Sequence, residues 1–484
     1  MSSPALLSRM AKPAALIWYR RDLRVSDHAP LHAALAAGFT PIPVFVWAPD
    51  EESPWAPGAA SRRWLHDALA DLDAQLRRLG SRLILRSGPT AEAMAELIRE
   101  TGARAVYWHR RYEPAVIRRD TGLKSDWRSS GLVAESFAGD CLFEPGAVLT
   151  KTGGPFRVFT PFWNRCRELP VEPPRPAPAT LPAPPPALRS ESLDSLVLRP
   201  RVAWDAGLAA AWDMTRAGAE SRLRHFFEES RPVDAYEGRR DVPGLDGTSR
   251  LSPYLHFGQL SVREAYSAAR RAGGAGEARF LAELGWREFG RHLLFHFPET
   301  PDRALDASFV AFPWANAPAL AEAWRRGRTG VPLVDAGMRQ LWETGWMHNR
   351  VRMVAGSFLV KNLLSDWRVG ARWFWDTLVD ADLAQNTLGW QWVAGCGADA
   401  APYFRVFNPV LQGDKFDPSG DYVRRFAPEL AGVPAKWIHR PWEAPPGVLR
   451  DAGVTLGGGY PEPVVGLALS RARALAAYSA RRAP

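Results

Sequence analysis

Residues 14–19 read AALIWY and residues 42–47 read IPVFVW, two short apolar runs typical of buried β-strands. RLILR at 82–86 and RAVYWH at 104–109 have the same character. Segments with helical periodicity lie between these runs, and the longest of them covers 60–79. Because strands alternate with helices, the sequence predicts a doubly wound parallel sheet that is covered on both faces.

The pattern changes in the second half of the chain. Residues 168–190 are dense in proline, which is typical of a semi-rigid linker. Long helical segments joined by Pro and Gly turns follow, for example 277–297 and 346–365. The sequence therefore predicts three parts: an α/β domain over 14–140, a connector over 141–205 and an all-helical domain over 206–476.

Composition narrows the class of protein. The 484 residues are 46% hydrophobic and 23% charged, which excludes a wholly disordered, collagen-like or coiled-coil chain. No run of about 18 uncharged apolar residues occurs, so we expect no membrane span. The three cysteines form no CxxC pair and fit a reducing, cytoplasmic setting. The net charge of +9 favours a polyanion such as nucleic acid, although an arginine-rich solvated surface explains it equally well.

Hydroxyl groups crowd the segment GTSRLSPYLHFGQLS, residues 247–261. Thr248, Ser249 and Ser252 stand at the start of a helical stretch, where unpaired N–H groups and a positive dipole end suit a phosphate. Ser and Thr also favour ordinary helix caps. The residues alone leave both interpretations open.

The segment FLAELGWREFGRHLLFHF, residues 280–297, places an acid beside an indole. Glu283 and Trp286 are three residues apart and share a helical face. A carboxyl group that faces a cavity is one interpretation, and a surface salt pair between Glu283 and Arg287 at i, i+4 is the other. His292 and His296 have no nearby third ligand, so we predict no metal site.

Two later segments also mix polar and aromatic residues. In 343–364, a predicted helical stripe of Trp346, Asn349 and Met353 is either core or the wall of a polar pocket, and Arg350 and Arg352 flank it. In 376–409, two carboxylates, an amide and two indoles lie close together, a pattern that suits a planar heterocycle: Asp380, Asp382, Asn386, Trp390 and Trp392.

Together with the N-terminal WYRRDLRVSDHAPL, these four segments resemble the DNA photolyase and cryptochrome family over roughly residues 14–440. The resemblance implies an α/β N-terminal domain (a doubly wound parallel sheet) plus an all-α C-terminal FAD-binding domain. It implies damaged DNA as the partner, and we expect a monomer. An antenna chromophore, either a folate, a deazaflavin or a second flavin, is a further option that the sequence leaves open.

The resemblance also assigns roles to residues. The segment that holds the FAD ribose and phosphates is matched by Tyr236, Thr248, Ser249, Leu251 and Ser252. Asp380 and Asp382 match acids around the flavin, Arg352 matches an arginine that pairs with such an acid, and Asn386 matches the residue that faces flavin N5. The tryptophan relay to the flavin is matched by Trp390, Trp367 and Trp314.

Contacts to a pyrimidine dimer are implied for six residues: Glu283, Trp286, Asn349, Arg350, Met353 and Trp392. Of these, Glu283 and Asn349 are candidate catalytic residues, because they can hydrogen-bond the dimer. Asn386, which the resemblance places opposite flavin N5, is the third candidate catalytic residue. Photolyases for six-four photoproducts place histidines at positions 349 and 353, which supply the proton that their reaction needs. The resemblance therefore points to the cyclobutane dimer group, and within it to class I.

The implied activity is that of a deoxyribodipyrimidine photo-lyase, which splits dimers by electron transfer from photoexcited reduced FAD. Two alternatives remain. A cryptochrome-type blue-light receptor has the same fold and FAD without repair, although the small number of residues after 440 favours the enzyme. A nucleotide-binding α/β protein with an unrelated helical module is the other alternative.

Overall fold

The computed structural model describes residues 12–399 and 404–481. Its first domain contains five parallel strands in the order β3-β2-β1-β4-β5. The strands are β1 (Ala14–Tyr19), β2 (Thr40–Trp47), β3 (Ile84–Ser87), β4 (Ala105–His109) and β5 (Val133–Phe137). Four helices cover the sheet: α1 (Ala29–Ala36), α2 (Ala59–Arg78), α3 (Thr90–Thr101) and α4 (Pro114–Ser129). The predicted doubly wound parallel sheet is confirmed.

The fifth strand was missed in the sequence. Residues 133–137 read VAESF, and they pair with β4 alone, at the edge of the sheet. Exposed and buried positions mix along this strand, whereas β1 is buried almost throughout. A short edge strand lacks the continuous apolar run that marks a central parallel strand.

The proline-rich connector packs against the first domain. The Leu181 backbone N–H donates to the Leu79 carbonyl at 2.7 Å, and the Asp27 N–H donates to the Arg175 carbonyl at 2.7 Å. One helix, α5 (Phe159–Cys166), precedes the proline-rich part. These hydrogen bonds fix the path of the connector along the domain surface.

The second half is helical, as predicted. Its helices are α6 (Ala206–Ala211), α7 (Arg216–Arg224), α8 (Tyr236–Arg239), α9 (Ser252–His256), α10 (Val262–Ala272), α11 (Glu277–His296), α12 (Pro318–Arg325), α13 (Pro332–Thr344), α14 (Asn349–Ser357), α15 (Trp367–Thr377), α16 (Leu383–Ala394), α17 (Pro409–Phe416), α18 (Asp421–Phe426), α19 (Pro446–Asp451) and α20 (Leu467–Ala480). Single π turns extend α7 over His225–Glu229 and α14 over Phe358–Asn362. None of the helices in the described ranges could span a membrane.

The two halves share a close interface. A Cβ on Gly58, just before α2, would lie 2.3 Å from the Trp375 carbonyl oxygen on α15, so only glycine fits. The next N–H, of Ala59, donates to Asp376 Oδ1 at 2.9 Å. Asp140, just after β5, accepts hydrogen bonds from Arg287 and Arg291 on α11. Acids and arginines therefore join the sheet domain to the helices that carry the candidate site.

Candidate functional site

One face of α16 borders open space. Asp382 caps this helix, because its Oδ1 accepts from the Gln385 N–H at 3.0 Å. Asn386 and Gly389 follow at i+4 and i+7 on the same face. Asn386 Nδ2 donates to the Ala371 carbonyl at 3.0 Å, which leaves the amide oxygen available as an acceptor. Gly389 is exposed, and a Cβ there would meet no atom within 4 Å.

Asp380 is held by side chains from two distant segments. Its carboxylate accepts from Arg352 Nη2 at 2.9 and 3.1 Å and from Ser252 Oγ at 2.7 Å. Arg352 Nε in turn donates to the Met347 carbonyl at 2.8 Å. The structure therefore brings together three of the residues for which the resemblance implied a cofactor role.

Asp382 stays ionised although it is buried. Burial opposes its ionisation, but Arg291, His256 and Arg287 together outweigh that effect and hold the pKa of this carboxyl well below its usual value. Arg291 Nη2 donates to Asp382 Oδ2 at 2.8 Å and its Nε donates to Asp140 Oδ2 at 2.5 Å. Among the described residues, both ring nitrogens of His256 and Nη1 of Arg291 are buried without a hydrogen-bond partner. His256, Arg291 and Asp382 line a cavity of about 10 Å³, so these unpaired atoms border a space that has room for water.

The hydroxyl-rich segment forms a tight loop before the short helix α9. Arg250 adopts a positive φ of 51°, and a Cβ on Gly247 would lie 2.8 Å from the Arg239 carbonyl oxygen. Arg222 donates to the Thr248 carbonyl at 3.2 Å and to the Ser249 carbonyl at 3.4 Å. Both hydrogen bonds go to backbone carbonyls of the loop, so neither uses the Thr248 hydroxyl. Leu251 and Tyr236 are buried beneath it.

The salt pair weighed for Glu283 and Arg287 is wrong. Glu283 Oε1 instead accepts from Arg240 and lies 3.6 Å from Arg279 Nε. Arg287 donates to Asp140 Oδ1 at 2.8 Å, because α11 presents it to the first domain and not along its own surface. The Glu283 carboxylate therefore contacts Arg279 of its own helix and Arg240 in the segment after α8.

Trp286 has one ring face covered. It stacks on Phe159 of α5 with a centroid distance of 3.8 Å and an interplanar angle of 8°. The indole remains half-buried. This rigid support pre-orients the other ring face for stacking.

The remaining candidate lesion residues lie on α14 and α16. Asn349 is exposed at the first position of α14, and Met353 and Trp392 are half-buried. Arg350 donates to Asp241 Oδ2 at 2.8 Å. The helical stripe predicted for Trp346, Asn349 and Met353 is wrong in part, because α14 begins at Asn349 and Trp346 precedes it.

The comparisons with known proteins agree with this geometry. A model of the FAD binding domain of DNA photolyase matches residues 280–480, and a DNA photolyase model matches residues 15–183. A deoxyribodipyrimidine photo-lyase of Agrobacterium fabrum is 48% identical over 96% of this chain and 97% of that protein. The chain belongs to the DNA photolyase and cryptochrome family. Cryptochrome-1 of Arabidopsis thaliana is 41% identical over 95% of this chain and 69% of that protein.

A solved structure, described as a bacterial class III photolyase from Agrobacterium tumefaciens, superimposes with a TM-score of 0.95. It is 45% identical and covers 99% of this chain and 100% of that one. The predictions of the family, of the enzyme class and of FAD as cofactor are confirmed. The placement in class I is not supported, since this likeness is to class III.

Two of the predicted relay tryptophans, Trp367 and Trp390, lie on the neighbouring helices α15 and α16, and Trp314 lies in the segment before α12. A Cβ on Gly370 would lie 2.0 Å from Trp390 Cη2, so α15 packs directly on that indole. Trp367 lies one turn before Gly370 on the same face of α15. The Ala315 N–H donates to the Leu364 carbonyl at 2.7 Å, which ties the segment of Trp314 to the approach to α15. Trp390 and Trp367 are buried, and Trp314 is half-buried and lies nearer the surface.

A crevice opens at the carboxyl ends of β1 and β4, where the strand order reverses and α/β sheets commonly bind ligands. Arg111 bridges Glu52 at 2.6 and 2.8 Å and Glu113 at 2.9 Å, and Arg21 also binds Glu113. The cavities left between these side chains measure about 10 and 50 Å³. As the side chains lie, water fits there and a ring system does not, since ligand sites begin at roughly 300 Å³. The antenna therefore stays a prediction without a site.

Several residues that build the candidate site were not predicted from the sequence. Arg291 and Asp140 support Asp382, Phe159 supports Trp286, and Arg240 and Asp241 bind Glu283 and Arg350. Apart from Arg291 on α11, they lie outside the four polar-aromatic segments. Residues that act through another side chain form no periodic pattern in the sequence. They can be identified only from their contacts in the folded structure.

Proposed function

We propose that this chain is a light-dependent DNA repair enzyme that splits cyclobutane pyrimidine dimers. One observation carries the proposal. Two helices, α14 and α16, each hold residues of both the candidate cofactor set and the candidate lesion set, and a third, α11, holds lesion candidates and Arg291, which binds the cofactor candidate Asp382. On α14, Arg352 belongs to the first set and Asn349 and Arg350 belong to the second.

The other two helices also contribute residues to the candidate site. On α16, Asn386 is a candidate flavin residue and Trp392 a candidate lesion residue. On α11, Arg291 binds Asp382, while Glu283 and Trp286 lie one to two turns earlier. Because a helix rises about 1.5 Å per residue, the two ligands would lie within roughly 10 Å of each other along these helices.

The chemistry of the side chains suits FAD. Asp380 and Arg352, Asp382 and Arg291, and the amide oxygen of Asn386 offer paired charges and hydrogen-bond groups around the open face of α16. FAD, when bound and reduced, supplies the excited electron that opens the cyclobutane ring, and the electron returns afterwards. The Asn386 oxygen can accept a hydrogen bond from a ring N–H, since its amide nitrogen is already engaged.

The protein's part is placement and electrostatics. Basic residues neutralise phosphates around the lesion. A dimer is poorly stacked, so flipping it out of the helix costs less than flipping normal bases. Trp286, braced by Phe159, and Trp392 contact the fused rings. The Arg240 guanidinium beside Glu283 and the Asn349 amide donate hydrogen bonds to the carbonyls where negative charge develops.

The decisive experiment measures loss of thymine dimers from an ultraviolet-damaged oligonucleotide. The protein is purified with FAD, reduced chemically and illuminated with blue light, and a dark sample serves as the control. We expect dimers to disappear only in the light. Persistent dimers in the illuminated, reduced sample would contradict repair.

A second candidate function is supported by the 41% identity to Arabidopsis cryptochrome-1. In that case the chain is a blue-light receptor that binds FAD without repairing DNA. A flavin that photoreduces normally in a protein without dimer-splitting activity would favour the receptor.

A further inference from the structure

A chain of ion pairs joins two of the candidate lesion residues. Glu283 on α11 pairs with Arg240, which directly follows α8. The next residue, Asp241, accepts from Arg350 Nη2 on α14 at 2.8 Å and lies 4.0 Å from Arg240 Nε. Acid and base alternate in the order Glu283, Arg240, Asp241, Arg350, so the chain crosses from one helix to the other.

Both arginines are also held from a second side. The Arg240 guanidinium lies 5.5 Å from the ring centre of Tyr236, and that of Arg350 lies 4.4 Å from the ring centre of Phe416. The side chains of the two arginines are 11% and 18% exposed. Partial burial reduces screening by water and salt, so each guanidinium is fixed between a ring and a carboxylate before any ligand binds.

The two carboxylates also cancel the charge of the two arginines. Intact DNA offers its phosphates to any free guanidinium, which adds affinity without specificity. A guanidinium already paired with an internal acid is a weaker phosphate ligand. The chain of ion pairs therefore attracts intact DNA less strongly than two unpaired arginines would.

We propose that Asp241 is a specificity-determining positioning residue. It holds Arg350 in place for a flipped-out dimer and withholds it from the phosphates of intact DNA. The proposal rests on the DNA repair function proposed above. It assigns to Asp241 a role through Arg350, with no contact to the lesion required.

The test is Asp241→Asn in the full chain with FAD bound. Dissociation constants are measured across a salt series for an oligonucleotide with one thymine dimer and for the same oligonucleotide without it. We expect affinity for the dimer to fall about threefold to tenfold, as for loss of one partly buried ion pair. Affinity for intact DNA should stay level or rise. The slope of the logarithm of the binding constant against the logarithm of salt concentration should steepen by up to about 0.9, the value for one added phosphate contact.

The control is Glu429→Gln. Glu429 pairs with Arg339 at 2.7 Å through side chains of similar burial, 27% and 24% exposed, and its loss changes net charge by the same unit. Asp241→Glu should restore part of the discrimination, and Asp241→Ser replaces Asp241→Asn if the latter does not fold. For each variant, the dissociation constant for intact DNA is divided by that for dimer-containing DNA. If this ratio and the salt slope are the same in Asp241→Asn and Glu429→Gln, the role proposed for Asp241 is wrong. A wild type that does not distinguish the two oligonucleotides overturns the repair function itself, and this proposal with it.

Discussion

Trp286 shows how one residue depends on another for its function. Its indole has Phe159 on one face at 3.8 Å and is half-buried. Stacking on the free face then loses little side-chain freedom, because the ring is already held. The spacing of Trp286 and Glu283 was visible in the sequence, but the brace was not.

Trp286→Ala should weaken binding to dimer-containing DNA by about 1–3 kcal/mol, the range for one base stacked on an aromatic ring. Binding to intact DNA should change far less. Titration of both oligonucleotides by fluorescence anisotropy gives the comparison. Phe159→Leu is the matched control, since it removes the brace and keeps the indole; its effect should be smaller. Equal losses on both oligonucleotides would mean that Trp286 supports general DNA binding only.

Glu288 on α11 titrates near neutrality. Burial raises its pKa to about 7 although Arg287 lies 3.6 Å away, and its Oε2 accepts from the Leu142 and Phe143 N–H groups. The folded state thus keeps the proton over a range of pH in which the unfolded chain, with a pKa near 4.5, has lost it. The contribution of Glu288 to stability therefore falls as the pH rises from about 4.5 to 7.

Glu288→Gln removes this titration. The free energy of unfolding of Glu288→Gln, relative to that of wild type, should rise by about 3 kcal/mol between pH 4.5 and 7.5. The reason is that wild type has a carboxyl whose pKa is about 7 in the folded state and near 4.5 in the unfolded chain. Urea unfolding at four pH values measures the difference. A difference that does not change with pH would show that Glu288 titrates normally in the folded protein.

At the scale of elements, the contact between α15 and α16 places two of the indoles that are predicted to form the relay. Gly370 has no side chain where Trp390 packs, and Trp367 stands one turn away on the same helix face. Trp390 also lies 6.1 Å from Trp324, an indole that the sequence did not single out. Helix packing, and not spacing along the chain, brings these rings near each other.

Trp367→Phe should abolish photoreduction of oxidised FAD, because phenylalanine is much harder to oxidise than an indole. Dimer repair by chemically reduced protein should be unchanged. Absorbance of the flavin during blue illumination follows the first property. Trp127→Phe, which alters a buried indole of the first domain, is the control. Normal photoreduction in Trp367→Phe would mean that the relay is assigned wrongly.

At the scale of the whole molecule, the α/β domain supports the part of the helical domain that contains the candidate cofactor residue Asp382. Asp140 follows β5 and binds Arg287 and Arg291 of α11, and Arg291 also binds Asp382. Loss of this half-buried carboxylate, which pairs with two arginines, would weaken the charge compensation of both. The two domains are therefore coupled in stability.

Asp140→Asn should lower the free energy of unfolding by about 2–4 kcal/mol, somewhat less than complete loss of a buried ion-pair partner. FAD should also dissociate more readily, because Arg291 loses one of the two acids that orient it. Thermal unfolding with and without added FAD measures both effects. Asp120→Asn is the comparison, since Asp120 binds Arg20 within the first domain. An equal FAD-dependent gain in melting temperature for wild type and Asp140→Asn would disprove the link to the cofactor.

The apolar runs at 14–19 and 42–47 and the helical periodicity after residue 206 were sufficient to predict both halves of the fold. These patterns are local, because strand and helix periodicity is determined by which side chains must be buried. The polar segments at 247–261 and 376–409 likewise pointed to a site, and resemblance supplied roles for their residues.

The partners of those residues were decided by the tertiary structure alone. Arg240 and Asp241 reach Glu283 and Arg350, Phe159 reaches Trp286, and Asp140 reaches Arg291 only after distant segments pack together. Spacing in sequence determines which side chains share a helix face. It carries no information about contacts between elements, because those depend on how every other element packs.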